Sequence, residues 1–566
     1  MQWYPHAVTP NTTDKKGFAT ITEISRLFTL NRLQHAAFRR IGSALLTRWK
    51  KADDLNYLTA TDVQKALRDD QVLFYLGGEG GTGKTRVIGA VQELCKSWRR
   101  GECLLKTALT GKAATLVSGR TLASLLLALK SSKSRSTLGL DIIIIDEVSM
   151  MYKSQLVELD QRLRNATCNT GVPFGGIHVV LVGDFLQLPP VGADPLYIQP
   201  WTRSRCSPTA LTGYLLWQKF TSVVILEESV RFRNDPEWGE GCRLARLGIW
   251  TPEFVNMINR RVIRQDGDGK SVGFTLNGNL PTFVTPDNFT RQAINNLFVK
   301  ETAYRLPKGQ YPVRVVANFK GKLNGLSRSD IEIVMSLPDN KFGRMAPYLD
   351  LVPGMPIQIT QNVRAEKLAA NGTLGTLEKI IYQPGTAFRL VCDGVSGVIV
   401  KIPHPPPEAI IVRIPRGPLA KSIASDIDSD LFPLFYTSEP YKPCDLSLPL
   451  SPSGEPRKLS VKIGQFPLVC AVGSTIYKVQ GETLEAMVVT EWRSQIAITN
   501  KKEQPYLLVS RVTSRNAFAT LEPITPEIVA WAHPSKEALE EEARLKVLSA
   551  KTVAAMDTED YQHSRI

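Results

Sequence analysis

The chain has 566 residues, 43% of them apolar and 22% charged, a size that calls for several cores and a composition that excludes general disorder. Its longest apolar runs, "LASLLLALK" and "IIII", fall far short of the ~18 residues of a membrane span, and "MQWYPHAVTPNTTDKK" has the order of neither a secretory signal nor a transit peptide, so an intracellular protein with no membrane partner is expected. A net charge of +15 favours polyanionic partners, while eight scattered cysteines and six scattered histidines offer neither a disulfide framework nor zinc-ligand spacing.

In chain order, residues 1–25, rich in Thr, Asn and Lys, read as a poorly structured extension. Strands and helices alternate over 26–225, predicting an α/β unit with a parallel sheet. "LNRLQHAAFRRIGSALL" has the pattern of an amphipathic helix. The strand-like "QVLFYL" then runs into "GGEGGTGKT", a complete G-x-x-x-x-G-K-T of Gly78, Gly83, Lys84 and Thr85, and Val87, Ile88, Val91, Leu94, Cys95 and Trp98 follow at helical spacing. Strand, glycine loop and helix predict a P-loop in which the backbone of Gly78, Gly80, Gly81, Thr82 and Gly83 converges on phosphates, Lys84 reaches the β and γ phosphates, and Thr85 holds Mg2+.

"LTGKAA" opens a further helix, and the basic "KSSKSRST" from Lys130 to Thr137 reads as a solvated linker. "DIIIIDEVSM" predicts a buried parallel strand that delivers Asp146 to Mg2+ and Glu147 to the attacking water. "IHVVLVGDFLQLPPV" presents Asp184 and then Gln187, a glutamine suited to sensing a γ-phosphate, ahead of the stiff Pro189-Pro190. A second α/β part, bounded at 226–347, opens with "SVVILEESVRF", a stretch that starts at Ser222. Over 348–463 β-branched residues, glycines and prolines replace helical periodicity and predict a β-rich insertion. The α/β part resumes over 464–534, and 535–566 reads as a helical tail capped by Ser535.

The ordered set "GGEGGTGKT", "ALTGKAATLVSGRT", "IIIIDEVSMM", "FGGIHVVLVGDFLQLPPV", "LEESVRF", "GSTIYKVQGETL" and "LLVSRVTSR" resembles the Pif/RecD-like branch of superfamily 1B DNA helicases over residues 28–520. It looks most like the Pif-type helicase region of Helitron transposons. The resemblance implies two RecA-like P-loop NTPase lobes with parallel sheets and a small SH3-like β-barrel insertion in the second lobe. It implies a motor that uses ATP and Mg2+ to move 5′ to 3′ on single-stranded DNA and to unwind tailed duplex DNA; the sequence does not show the oligomeric state, and a monomer is the expectation. The implied settings are repair, recombination, telomere maintenance or transposition, in the nucleus if the source is eukaryotic.

Position by position, the resemblance puts Gln34 on the adenine, Arg231 and Arg511 at the γ-phosphate, and Thr110 and Lys112 on the DNA backbone. Thr475, Lys478, Gln480 and Gly481 fall on the motif that couples nucleotide to strand, and the Lys130–Thr137 loop would flank the DNA path. The chain departs from the family pattern at Tyr477 and Val479, at Leu122-Ala123, and at Phe232 after Arg231. These departures motivate a second reading, an ATP-dependent clamp that grips DNA without unwinding it; a motor on RNA is a third. No H-x-H pair is present, so DNA nicking is not expected.

Overall fold

The computed structural model of the protein describes residues 18–54, 71–131, 139–202, 207–265, 271–272, 280–321, 326–363, 369, 371–394, 396–414, 428–437, 443–450, 454–494 and 501–563. Residues 1–17 of the expected extension and 132–137 of the basic loop lie outside the described residues. The rest of the extension is ordered at its end. Helix Ile21–Leu27 starts at a capping box, Thr20 with Glu23, and buries Ile24.

The first lobe is built on six parallel strands, β1 (Leu73–Gly78), β2 (Leu104–Ala108), β3 (Arg120–Thr121), β4 (Ile142–Asp146), β5 (His178–Gly183) and β6 (Ser222–Leu226), in the spatial order β3-β2-β4-β5-β1-β6. Alternate residues of each strand feed opposite faces. Tyr75, Ile143, Ile145, Val179 and Leu181 enter one core, whereas Phe74, Leu76, Ile142, Ile144, Val180 and Val182 enter the other. Both faces are therefore apolar, which is why β4 reads as an unbroken run of isoleucines rather than an alternation. The carboxyl ends of β1, β4 and β5 are neighbours, so the loops that follow them meet at one rim of the sheet.

The chain returns to this lobe at its far end. The terminal helix Lys536–His563 lies along β6, burying Ala538 and Leu545 in the first-lobe core. Its Ser549 Oγ accepts from Ile225 N at 2.9 Å and its Thr552 Oγ1 from Val223 N at 3.1 Å. Two backbone donors of a strand at the sheet's edge are thus satisfied by helix hydroxyls.

The second lobe has four parallel strands in the order Gly473–Thr475, Thr282–Thr285, Met487–Val489, Phe518–Thr520. Its largely aliphatic core includes an aromatic cluster, with Trp238 packed edge-on against Phe254 at 5.1 Å, and Phe518 and Trp492 beside them. The β-rich unit is wider than the 348–463 read from composition. Strand Val313–Val316 pairs with Tyr348–Leu351, and Leu468–Cys470 pairs with Pro356–Ile359. Asn318–Gly321 pairs likewise with Arg457–Gly464, and the membership of these short strands is decided by pairing partners distant in sequence. Among the described residues no helix is long and apolar enough to cross a membrane.

Candidate active site

Strand β1 ends in the glycine loop, and the helix Lys84–Ser97 leaves it. Gly81 and Gly83 hold φ of 89° and 87°, a left-handed region that glycine adopts at little cost. A side chain on Gly80 would meet Arg231 Nη1 at 2.6 Å, so the segment carrying Arg231 lies directly on the loop. Lys84 Nζ donates to the carbonyls of Gly78 at 2.7 Å and Glu79 at 2.9 Å, and burial holds its ammonium below the usual lysine range. Thr85 stands exposed on the first helical turn. Gln34 is buried beneath the loop, donating from Nε2 to Thr82 O at 2.9 Å and accepting at Oε1 from Asn31 N at 3.1 Å. One end of its amide thus holds the loop and the other holds the start of its own helix.

The two acids stand at the end of β4. Asp146 Oδ1 accepts from Glu147 N at 2.8 Å; burial first, and the Glu147 carboxylate second, push the Asp146 carboxyl up to about 7. Glu147 takes a left-handed φ of 59°, which turns its side chain toward the other lobe. There Gln480 Nε2 donates to Glu147 Oε2 at 3.1 Å and to Ser149 Oγ at 3.0 Å. Gly481 comes so near that a Cβ on it would lie 2.9 Å from Glu147 Oε1. On the third rim loop, Gln187 Nε2 donates to Asp184 Oδ2 at 3.2 Å, and Gln187 Oε1 is buried with no partner. Gln480 Oε1 is also buried and unpartnered, so the cleft holds two acceptors suited to a ligand's or water's hydrogens.

The two arginines are placed differently. Arg231 Nη1 donates to Ser510 O at 2.6 Å with its guanidinium against Gly80; burial first, then the neighbouring Arg511, lower it to about 9. Arg511 is 1% exposed and stays within its own lobe, donating to Leu507 O at 3.1 Å, Glu482 O at 3.3 Å and Ser510 Oγ at 2.9 Å. Arg231 reaches the loop, and Arg511 stands behind it.

The residues assigned to the strand line a seam between the pieces. Thr110 caps the helix Gly111–Leu116 by accepting from Ala113 N at 3.2 Å. Lys112 forms an ion pair with Glu482 of the second lobe. Lys478 Nζ donates to Gln358 Oε1 of the β-rich unit at 2.6 Å, and burial lowers it to about 8. Thr475 is buried at the start of the turn Ile476–Val479. Val479, one of the departures from the family pattern, is 1% exposed in the second-lobe core and serves packing, and Ala123 is exposed. Sequence reasoning passed over Ser149, Glu482 and Arg246, whose partners lie across the cleft. Only Glu482, directly after the "VQG" stretch, had a positional cue.

Hydroxyl and carboxylate oxygens are ligands for a hard divalent cation, so Thr85 and Asp146 fit Mg2+ by donor chemistry. Two parallel-sheet lobes that close a P-loop between an acid pair and arginines define a RecA-like P-loop NTPase of helicase architecture. Residues 57–239 match the family profile described as PIF1-like helicase. The ATP-dependent DNA helicase Pif1 of Psychrobacter sp. (strain PRwf-1) is 35% identical over 486 residues, covering 82% of this chain and 67% of its own. The chain belongs to the Pif1-like helicase family.

The ATP-dependent DNA helicase PIF1 of Trypanosoma brucei brucei is 36% identical over 149 residues, which is 26% of this chain. The matches span only 16%, 26% and 28% of the lengths of three trypanosomal relatives. The crystal structure of Pif1 helicase from Candida albicans superposes with a TM-score of 0.55 at 20% identity, over 87% of this chain and 99% of that one. The Bacteroides Pif1 structure in complex with ADP-AlF3 and ssDNA does so with the same score and identity over 87% and 97%. At this identity the likeness shows the fold.

Proposed function

We propose that this protein is an ATP-dependent DNA helicase that translocates on single-stranded DNA, 5′ to 3′, and unwinds tailed duplexes. The observation that carries this reading is the contact of Gln480 with Glu147 across the cleft. It joins the segment assigned to strand coupling to the residue suited to activating water. The names of the relatives, and a related structure holding ADP-AlF3 and single-stranded DNA, support the same reading.

In the mechanism we infer, Lys84 exchanges its carbonyl partners for phosphate oxygens, which recover the charge that burial suppresses. Thr85 and Asp146 hold Mg2+, which when bound neutralises phosphate charge. Glu147 accepts a proton from the attacking water, with its carboxylate held in place by Gln480. Gln187 would report the γ-phosphate through a water whose hydrogen its free Oε1 accepts. Arg231, already on the loop, faces the negative charge that develops in the transition state, with Arg511 behind it. Gln34 supports the loop from beneath and would reach the adenine from there. With the lobes together, Arg231 lies on the loop and Gln480 and Gly481 lie at Glu147, so we infer that turnover is tied to the seam lined by Thr110, Lys112, Thr475 and Lys478. These last residues would grip the strand backbone without reading sequence.

The clamp reading is less favoured. Val479 is explained by packing, and Gln480 makes its inter-lobe contact despite the neighbouring departures. Unwinding of 5′-tailed against 3′-tailed duplex, with Lys84→Ala and Arg511→Ala as controls, tests the proposal. ATPase indifferent to single-stranded DNA, or surviving Lys84→Ala, would overturn it.

A further inference from the structure

The rim loop after β5 is held from both lobes. Leu188 is fully buried in the second-lobe core. Asp184, whose side chain has 0% exposure, receives Arg246 Nε at 3.2 Å and Nη2 at 2.7 Å. Arg246 ends the helix Pro236–Arg246, whose Trp238, Cys242 and Ala245 belong to the second-lobe core. The same Nη2 donates to Glu542 Oε1 at 3.0 Å on the terminal helix, which packs on the first lobe. A guanidinium from one lobe is therefore shared by two buried carboxylates carried on the other.

The triad acts on Gln187. Asp184 also accepts from Leu186 N at 3.1 Å and Gln187 Nε2 at 3.2 Å. An ionised carboxylate can only accept, so its charge decides which end of the Gln187 amide turns toward it. Burial alone would push the Asp184 carboxyl up; Arg246 reverses this and holds it below the usual carboxylate range. Were Asp184 protonated or displaced, Gln187 would lose its fixed orientation, and its buried Oε1 would have no defined direction.

We propose that Arg246 and Glu542 are positioning residues for Gln187, and that the terminal helix thereby belongs to the ATP-hydrolysing unit. This rests on the reading of the protein as a DNA-stimulated ATPase. Glu542→Ala removes one anchor of the guanidinium with a residue that suits a helix. Glu542→Gln keeps an oxygen to accept from Nη2, and Arg246→Lys keeps charge while losing the fork.

The test is steady-state ATPase on saturating single-stranded DNA for each variant, alone and combined with Gln187→Ala. Glu542→Ala and Arg246→Lys should each lower kcat by roughly three- to tenfold with KM for ATP within about twofold, since only the transition state is affected. Glu542→Gln should restore kcat to within about twofold of the unmodified chain. In the Gln187→Ala background neither variant should add a loss, because residues acting through one group are not additive. Losses that multiply in that background, or an effect confined to KM, overturn the proposal. If Arg246→Lys fails to fold, the Glu542 variants alone decide it. An unmodified chain without DNA-stimulated ATPase would instead overturn the proposed function, an outcome distinguishable from additivity in an active enzyme.

Discussion

Gln480 of the second lobe and Glu147 of the first share a hydrogen bond of 3.1 Å, and Ser149 completes the fork at 3.0 Å. The bond orients the carboxylate suited to receiving a proton from water. Glu147→Gln should therefore lower ATP turnover by about 10²–10⁴-fold while nucleotide affinity stays within a few-fold. Gln480→Ala should reduce the DNA-stimulated rate more than the basal one. Turnover with and without single-stranded DNA, alongside a fluorescent-nucleotide titration, checks both. More than a tenth of the original rate in Glu147→Gln would remove it from this role.

Gly481 adopts φ of 79° with Glu147 Oε1 2.9 Å from the place of a Cβ. Gly481→Ala should cost roughly 1–3 kcal/mol of backbone strain and hold the lobes apart. The expected outcome is an unaltered nucleotide affinity with a several-fold smaller ratio of DNA-stimulated to basal ATPase. An unchanged ratio would show that the close approach is incidental.

Lys112 and Glu482 tie the lobes by an ion pair whose side chains are 21% and 5% exposed. Removing only the lysine leaves a buried carboxylate unpaired, at a cost of about 3–5 kcal/mol, whereas removing both charges costs less. In thermal unfolding Lys112→Met should melt lower than the double variant Lys112→Met, Glu482→Leu. The reverse order would mean that Glu482 left without Lys112 is not destabilising.

Lys478, lowered to about 8 by burial, is mostly charged at pH 7 and mostly neutral at pH 9. A phosphate contact favours the charged form, so affinity for single-stranded DNA should fall as pH rises through 8. The slope of log affinity against log salt should shrink by roughly 0.7 over the same range, the value of one lost contact. Lys478→Arg, charged throughout, should flatten this pH dependence. Fluorescence anisotropy across a salt series at both pH values measures it, and a pH response unchanged in Lys478→Arg would place the titration elsewhere.

The parts legible in the sequence were those written by local pattern. The glycine loop, the four isoleucines before Asp146 and the helical spacing after Thr85 each state their geometry within a few residues. What escaped was set by partners distant along the chain. Arg246 meets Asp184 62 residues away and Glu542 296 residues away, and no short window contains that ion triad. The type and motif of Gln34 suggest a ligand role, but a helical wheel does not reveal that Thr82 O, 48 residues on, lies within reach of its amide. Val479 looked like a lost polar contact until its burial showed a packing constraint.

The helix hydroxyls on β6 bear on how the protein is made. The strand that ends at Leu226 emerges from the ribosome about 310 residues before the helix that begins at Lys536. At ordinary synthesis rates that is a delay of roughly 15–60 s, during which Val223 N and Ile225 N lack their final acceptors on an apolar sheet edge. The first lobe is therefore begun before the second and completed only after it. Nascent chains stalled before the terminal helix should be the ones most prone to stick to one another or to engage a chaperone.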